Sequence, residues 1–473
     1  MEIISVPFAL SALSAVIVYY LIRPGCRVWF LVLISAAFIA GYNYLLLGYL
    51  LLFALANYLL GIGVASTKYK KSLYRTGIVF NLLQITLLKY ASFAVDPLFE
   101  FFGTEFRPSG IGNLIIPLGI SYFTLQGIGY LINVKMNWEK PERNFLNFFL
   151  YLTFFPRFLS GPIDRSNLFL PQLRTPVGFS LNGITDGLKT ALGGFFKKLV
   201  IANQIGQIIN ATYADIGSYA SGDLWIIFLL QPLYLYFDFS GYTDIAIGFA
   251  KMLGLDIPPN FNRPFLAGNV TSFWKRFHMS LSSWFNDYVF KQTSFKYRRW
   301  GKNASVFAVF VTFILFGIWH GAGWNFMLLG LIQAIAINYE YFTKPFRVRL
   351  FSRTPLIIQK LTGRLLTYLF FALSLVFFFS GNIDNAFEFI SLLAGSHGGW
   401  ATYYFSTLLL IALTSSIAIL AFEWISEDHP NLADGLHRFW SRHTAVRLIA
   451  YYCMLFMVLT LIGKNLTFVY QAF

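Results

Sequence analysis

The chain has 473 residues, of which 57% are hydrophobic, 19% are aromatic and only 12% are charged. So few charged groups cannot cover the surface of a water-soluble globule of this length, which excludes the soluble classes. The formal net charge of +15 does not indicate nucleic-acid binding, because Lys and Arg form short clusters between apolar runs, as in the cytoplasmic loops of membrane proteins.

Apolar runs long enough to cross a bilayer recur along the whole chain, about a dozen in all, and several are short or interrupted by Gly and Pro. They predict an all-α polytopic membrane protein with about 11 to 13 transmembrane helices and additional re-entrant or interfacial helices. We expect one integral membrane domain over residues 1–473, with N-terminal scaffold helices in 1–110, a core segment in 111–341 and C-terminal helices in 342–473.

The distribution of charge predicts the topology. The run Val6–Ile22 is expected to be a first transmembrane helix and not a cleaved signal peptide, because no basic residue precedes it. The basic clusters would face the cytoplasm and the acidic segment Asp96–Glu105 the outside, which places the N-terminus outside. Cys26 and Cys453 lie at or within predicted spans and indicate no disulfide framework.

Two apolar runs carry charged residues at predicted membrane depth. Pro156 and Gly161-Pro162 break the run that contains Arg157, and a broken backbone at that depth fits a cavity or an interface. Arg157 is a candidate for holding an anionic substrate group, with a snorkelling, lipid-facing Arg as the alternative. Asp238 lies in a later run, where a carboxylate is costly unless paired or solvated, so it either borders a substrate site or belongs to a structural ion pair.

Two histidines also lie in apolar surroundings. The segment from Thr271 has a helical pattern that places Trp274, His278 and Ser282 on one face. His320 lies within Phe307–Gly330, an apolar run in which a titratable imidazole is costly without a function.

Histidine is the side chain suited to take a hydroxyl proton near neutral pH, as transfer from a thioester to a hydroxyl requires, so His320 and His278 are candidate catalytic residues. No GxSxG motif is present and no Cys lies near either His, so a covalent acyl-enzyme is not indicated. The His and Cys spacings indicate no metal site.

Six segments between Pro117 and Gln333 combine aromatic, glycine and charged residues in a distinctive way: FFPRFLSGPI, GGFFKKLVIAN, YFDFSGYTDIAIG, NFNRPF, SFWKRFHMSLSSWFNDYVF and GIWHGAGWNF. Together they resemble the membrane-bound O-acyltransferase (MBOAT) family, in particular its bacterial branch of polysaccharide O-acetyltransferases and teichoic-acid D-alanyltransferases. The resemblance implies a helical fold around a central tunnel, with a catalytic core in 111–341, His320 as general base and His278 as a second active-site residue.

The resemblance also implies that the protein moves an acyl group across the bacterial cytoplasmic membrane. The donor would be a cytosolic thioester, acetyl-CoA or a phosphopantetheine carrier protein, and no bound cofactor is expected. The acceptor would be a hydroxyl of an extracytoplasmic polysaccharide, reached directly or through an acyl-accepting or SGNH-type transferase protein. Acetyl is the favoured acyl group and D-alanyl transfer toward teichoic acid is the alternative.

The other residues receive roles within this hypothesis. His278 would orient the donor or the acceptor, and Asn325 would donate a hydrogen bond to the developing oxyanion. Trp274 and Trp319 would form the tunnel wall, with a purely packing role for each as the favoured alternative. A transporter is a different class that broken helices and buried carboxylates also suggest, although the halves of this chain show no internal repeat.

Overall fold

The computed structural model describes residues 5–66, 68–90, 119–175, 177–395 and 406–462. Every regular element in these ranges is a helix. Within them, eight helices are long and apolar enough to cross a membrane, and Val6–Leu21 is a shorter apolar helix. The prediction of an all-α polytopic membrane protein is confirmed. The acidic segment Asp96–Glu105, which was used to orient the chain, lies outside the described residues.

The chain divides into two compact units. The first comprises Met1–Ala191 and Ala246–Pro258, and the second comprises Leu192–Ile245 and Pro259–Phe473. The expected core segment 111–341 therefore contributes residues to both units.

The first unit contains helices whose buried polar side chains bond to one another. Its helices are α1 (Val6–Leu21), α2 (Arg27–Tyr42), α3 (Tyr44–Ser66), α4 (Lys70–Lys89), α5 (Ile120–Lys135), α6 (Phe145–Thr153), α7 (Ser166–Arg174) and most of α8 (Leu181–Phe195). Asn81 Nδ2 donates to Asn57 Oδ1 at 2.8 Å, and Gln84 Nε2 donates to Thr124 Oγ1. These bonds join α3, α4 and α5 and satisfy amides that apolar surroundings would otherwise leave unpaired.

Glu139 lies in the loop that follows α5, and its carboxyl group is half-buried. Ser166 Oγ donates to Glu139 Oε1, and burial raises the pKa of Glu139 to about 7 from its usual 4.5. Folding therefore favours the neutral carboxyl. The corresponding stability is complete below the unfolded pKa and is lost as the pH rises toward about 7.

We expect Glu139→Gln to stabilise the protein at pH 8 by on the order of 1–2 kcal/mol, and by much less at pH 5, because Gln resembles the neutral carboxyl at every pH. Thermal unfolding of the purified protein in detergent at both pH values measures the difference. Glu388→Gln, at an exposed position, is the control and should show no such pH dependence. An equal gain at pH 5 and pH 8 would contradict the assignment.

The second unit contains the remaining helices and two π-helical segments. The helices are α9 (Asn203–Ala214), α10 (Ser221–Met252, as far as Ile245), α11 (Val270–Trp274), α12 (Met279–Phe285), α13 (Lys291–Lys296), α14 (Lys302–His320), α15 (Trp324–Leu350), α16 (Leu356–Phe379), α17 (Ile383–Ala394), α18 (Thr407–Asp428), α19 (Pro430–Arg442) and α20 (Thr444–Leu461). The π-helical segments are Phe196–Ala202 and Asn286–Phe290.

Helices α14 and α15 form a hairpin that is held together at two glycines. A Cβ atom on Gly317 would lie 2.2 Å from the carbonyl oxygen of Phe326, and one on Gly330 would lie 2.1 Å from that of Phe313. Neither distance is possible for a real side chain. The absence of a side chain at both positions therefore lets the two backbones touch and fixes the end of α14, which is His320.

Candidate active site

His278 lies between two short helices of the second unit. Helix α11 ends at Trp274, α12 begins at Met279, and His278 has a left-handed backbone conformation with φ 47° and ψ 51°. The predicted single helix with Trp274, His278 and Ser282 on one face is therefore wrong.

The break between these helices has a tertiary cause. The Met279 N–H donates to the carbonyl of Asn260 at 2.9 Å, and the Ser280 N–H donates to the Asn260 side-chain oxygen at 3.0 Å. The Asn262 N–H in turn donates to the Arg276 carbonyl at 2.9 Å. The backbone groups that would continue the helix therefore form hydrogen bonds with Asn260 and Asn262 instead. These bonds hold His278 in its left-handed conformation, which costs about 1 kcal/mol or more.

The imidazole of His278 is buried and unsatisfied. Its side chain is 1% exposed and packs edge-on against Phe239, with ring centroids 4.6 Å apart. Among the described residues, no group bonds to either ring nitrogen. Burial, with a smaller contribution from His320, lowers the pKa of His278 well below its usual range, so the ring is neutral. A neutral imidazole whose nitrogens lack partners is suited to meet a ligand.

His320 is the last residue of α14, and its tautomer is fixed by its own helix. Its Nδ1 lies 2.8 Å from the carbonyl oxygen of Phe316. Because a carbonyl only accepts hydrogen bonds, Nδ1 carries the proton and Nε2 holds the lone pair of the neutral ring. The next residue is Gly321, where a Cβ would lie 2.1 Å from the ring of Phe326, so the chain turns tightly after the histidine.

His278 and His320 line the same small cavity, which has a volume of about 20 Å³. The remaining walls are apolar or aromatic side chains and one amide: Leu235, Trp274, Phe277, Phe316, Leu329, Gln333, Phe371, Leu375 and Phe378. No carboxylate is among these lining residues. We call this space the histidine cavity; it has room for about one or two water-sized groups.

A larger space of about 570 Å³, which we call the chamber, shares two walls with the histidine cavity. Trp274 and Phe316 line both spaces, and their rings meet edge-on with centroids 4.7 Å apart. The chamber has an exposed polar rim that includes Thr271, Lys275 and Asn286. Ser282 lines the chamber and not the histidine cavity, in agreement with the broken helix.

The chamber lies toward the basic ends of α14 and α15. Its lining residues Val309 and Thr312 precede His320 by about two to three turns of α14. Helix α14 begins directly after the cluster that contains Arg298 and Arg299, and α15 ends with its own cluster of Arg residues. The chamber is therefore on the basic side of the two histidines.

A chain of hydrogen bonds holds the indole of Trp274. Its Nε1–H donates to Gln333 Oε1 at 3.0 Å, and Gln333 Nε2 donates to Ser374 Oγ at 2.7 Å. The Ser374 hydroxyl donates to the Phe370 carbonyl at 2.8 Å. These three bonds connect the short helix α11 to α15 and α16.

The structure places two further predicted site residues near the histidines. Trp319 packs against both imidazoles, with centroids 6.1 Å from His278 and 4.8 Å from His320, so it forms part of their surroundings. Asn325 Nδ2 donates to the carbonyls of Phe377 and Ser380, at 3.0 and 2.9 Å. Both amide hydrogens of Asn325 are thus in use at the end of α16, which corrects the expectation of an oxyanion donor.

Asp238 belongs to a buried ion pair. Its carboxylate pairs with Lys198, and both side chains are at most 3% exposed. Lys198 lies in the π-helical segment Phe196–Ala202, which joins α8 to α9. The extra residue in a π turn rotates the side chains that follow it. The structural ion pair, one of the two alternatives for Asp238, is thus the arrangement observed.

Arg157 lies in the first unit and is also engaged. Its Nη1 is 3.0 Å from Asp164 Oδ2, its Nη2 donates to the Tyr151 carbonyl at 2.6 Å, and its guanidinium lies 4.2 Å from the centre of the Phe169 ring. Because the side chain is 2% exposed, the snorkelling alternative is wrong. The structure does not place Arg157 among the residues that line the histidine cavity or the chamber.

Sequence reasoning missed Gln333, Ser374 and Asn260. A Gln or Ser within an apolar helix is a weak signal, since such residues also bond within their own helix. A stronger signal exists for Gln333, because it lies on α15 in the segment that follows the His320 motif and faces the same side as Leu329.

Comparison with known proteins matches the MBOAT family model, described as membrane-bound O-acyltransferase, to residues 139–381. The chain is 28% identical to the probable alginate O-acetylase AlgI of Azotobacter vinelandii, over 85% of this chain and 80% of that protein. It is 29% identical to the peptidoglycan O-acetyltransferase of Helicobacter pylori, over 79% and 74%. It is 34% identical to the teichoic acid D-alanyltransferase of Bacillus subtilis, over 49% and 61%.

Proposed function

The chain belongs to the membrane-bound O-acyltransferase family, and we propose that it transfers acetyl from a cytosolic thioester to a hydroxyl of an extracytoplasmic polysaccharide. It is a multi-pass membrane protein and an acyltransferase. Family membership also removes the transporter interpretation. The acceptor class is supported by relatives whose names specify alginate and peptidoglycan as substrates.

The observation that carries the proposal is the pair of histidines in one buried cavity. His320 presents a basic Nε2 because its Nδ1–H is committed to Phe316, and His278 has two ring nitrogens that bond to no described residue. A base and a hydrogen-bond donor that converge on one apolar space are the groups that acyl transfer to a hydroxyl requires.

The proposed reaction is direct transfer. The acceptor hydroxyl oxygen attacks the thioester carbonyl carbon while Nε2 of His320 takes the hydroxyl proton. The ring N–H of neutral His278 donates to the carbonyl oxygen as negative charge develops there. The carbon–sulfur bond then breaks, and the imidazolium of His320 returns the proton to the leaving thiolate. An ester and a free thiol are the products.

The donor enters through the chamber. The chamber lies on the basic side of the histidines, and an excess of Lys and Arg marks the cytoplasmic side of a membrane protein. The proposal also includes insertion in the bacterial cytoplasmic membrane with the N-terminus outside, which is supported by the Lys and Arg clusters between the apolar runs. Acetyl-CoA and a carrier protein that bears phosphopantetheine present the same thioester arm, and either fits this route.

The size and polarity of the histidine cavity favour acetyl. Its volume of about 20 Å³ accommodates a carbonyl and a methyl group, and no carboxylate lines it. A D-alanyl group adds an ammonium, which is expensive to bury without an anionic partner. D-alanyl transfer stays the second candidate because 34% identity connects half of this chain to a D-alanyltransferase.

We expect Leu375→Ala to raise the rate with propionyl-pantetheine relative to acetyl-pantetheine by about 10-fold or more, because one extra methylene costs about 1–3 kcal/mol in a filled cavity. Leu375 lines the histidine cavity, whereas Leu366, on the same helix, is 60% exposed, so Leu366→Ala is the matched control. The assay follows release of the free thiol by the protein in vesicles with a soluble polysaccharide acceptor. Wild-type protein that uses D-alanyl-pantetheine as well as acetyl-pantetheine would overturn the acetyl assignment.

The final acceptor is reached either directly or through an extracytoplasmic acyl-accepting or SGNH-type transferase protein. Purified protein in vesicles, supplied with acetyl donor and polysaccharide alone, distinguishes these routes. Ester formation on the polysaccharide supports direct transfer. Thiol release that requires an added periplasmic or cell-surface fraction supports the partner route.

A further inference from the structure

The wall between the chamber and the histidine cavity consists of two aromatic side chains. Trp274 and Phe316 border both spaces and meet edge-on at 4.7 Å. The histidine cavity, at about 20 Å³, holds the acyl end of a donor but not the sulfur and the methylene chain behind it. A thioester arm that reaches from the chamber to His320 must therefore displace one of these two walls.

Phe316 is the fixed wall. It lies one turn before His320 on α14, and its carbonyl is the acceptor that sets the tautomer of that histidine. Four rings surround Phe316 and four also surround Trp274, but of these two walls it is Phe316 that packs against the imidazole of His320, with centroids 4.3 Å apart. Movement of Phe316 would disturb the base itself.

Trp274 is the wall that is able to move. It is the last residue of the five-residue helix α11, and the backbone leaves helical geometry before His278. Its indole has one hydrogen to donate, and that hydrogen bonds to Gln333. Rotation of the ring into the 570 Å³ chamber would break this bond without moving a membrane-spanning helix.

The orientation of Gln333 is determined by its other neighbour. The Ser374 hydroxyl donates its hydrogen to the Phe370 carbonyl, so toward Gln333 it acts as acceptor of the Nε2 hydrogen. Gln333 Oε1 is thereby directed at the indole of Trp274. Both Gln333 and Ser374 are at most 1% exposed, so loss of the indole N–H leaves a buried acceptor unpaired unless another donor replaces it.

We propose that Trp274 is a gate between the chamber and the histidine cavity, that Gln333 is its latch, and that an amide-bearing thioester arm opens it. This inference rests on the proposed function for the identity of the arm. In the open state, an amide N–H of a pantetheine-type arm donates to Gln333 Oε1 in place of the indole N–H. Without such an arm, opening would leave this oxygen buried and unpaired. Between donors the closed ring keeps water from the two histidines.

The gate is tested first by cysteine accessibility, which needs no acyl transfer. Cys26 and Cys453 are replaced by Ser, and Leu329→Cys is introduced on the wall of the histidine cavity. We expect Gln333→Met or Trp274→Phe to raise the rate at which a small methanethiosulfonate modifies this cysteine by about 10-fold, the factor for losing one hydrogen bond of about 1.4 kcal/mol. The two substitutions together give the same 10-fold increase, because both remove one bond.

Ser282→Cys on the chamber wall, in the same background, is the control, and its modification rate should be unaffected by either variant. The gate would be overturned if the modification rate at Leu329→Cys were unchanged in both variants. It would also be overturned if the increase in the double variant equalled the two single increases multiplied together. Because two independent variants are used, misfolding of one does not decide the test.

A second measurement separates a gate from a merely structural aromatic. In a gated site, a weaker latch increases the open fraction and lowers the donor KM, by about 10-fold for Trp274→Phe with acetyl-pantetheine, because this variant loses the latch bond but keeps Gln333 Oε1 as the acceptor for the arm. A fall in kcat with KM unchanged would instead assign Trp274 and Gln333 to packing. If no variant and no wild-type protein transfers acetyl, the proposed function fails, while the accessibility result still decides the gate.

Discussion

Replacement of His320 by alanine is expected to reduce acyl transfer by about 10³-fold or more, which is within the range for loss of a general base. Nothing else in the histidine cavity is suited to take the proton, because the pKa of His278 is held well below its usual range by burial. The measurement is the content of acyl esters on the envelope polymer of cells that carry the variant, together with thiol release by the purified protein.

His320→Asn separates the basic nitrogen of His320 from the hydrogen bond that its ring makes to Phe316. The Asn amide retains an N–H that is able to donate to the Phe316 carbonyl, as Nδ1 does now, but it has no basic nitrogen. Both variants should be equally inactive at normal protein level, whereas His437→Ala, on the exposed helix α19, should be fully active. Activity of His320→Asn above a few per cent of wild type would exclude the histidine as base.

Loss of Lys198 is expected to be strongly destabilising, because Lys198 neutralises a buried carboxylate. Lys198→Met leaves the Asp238 carboxylate buried without its partner, which costs about 3–5 kcal/mol. We expect the double variant Lys198→Met with Asp238→Leu to recover most of this loss, because two apolar side chains leave no isolated charge. Thermal unfolding in detergent and the yield of folded protein measure both effects.

A neighbouring ion pair supplies the matched control. Lys197 and Asp244 pair at 2.7 Å, but their side chains are 22% and 29% exposed, so water shares in their solvation. Lys197→Met should cost no more than about 1 kcal/mol. If the double variant of Lys198 and Asp238 were stable but inactive, Asp238 would have a role in the reaction and not only in the structure. If Lys198→Met were as stable as the wild type, the ion pair would not be a structural element.

The sequence was sufficient for the class of the protein and for the two histidines. Apolar runs as numerous as these fit only a protein that lies in a membrane. Burial of an imidazole in such a run costs enough free energy that the residue is recognisable as unusual. Both inferences depend on local composition, which is visible in the chain itself. The family resemblance was confirmed, whereas the roles of His278 and His320 stay predictions.

The geometry around these residues was not predictable, because it depends on partners distant in the chain. The pattern around Trp274 is that of a helix, but the helix is broken where the N–H groups of Met279 and Ser280 donate to Asn260. The partner of Asp238 lies at Lys198, and no local rule selects it among the basic residues. Asn325 likewise caps the end of α16, an interaction that only the packed hairpin creates.

The narrowness of the histidine cavity has a consequence for the energetics of the cell. An energised membrane stores a voltage, and any continuous water-filled path through it would dissipate that voltage. A constriction of about 20 Å³ walled by aromatic rings holds too little water to conduct ions. In the proposed reaction the acyl group passes this point by changing its covalent carrier, so no aqueous pore has to open. In that proposed reaction, the side chains that position the reacting groups would also act as electrical insulation.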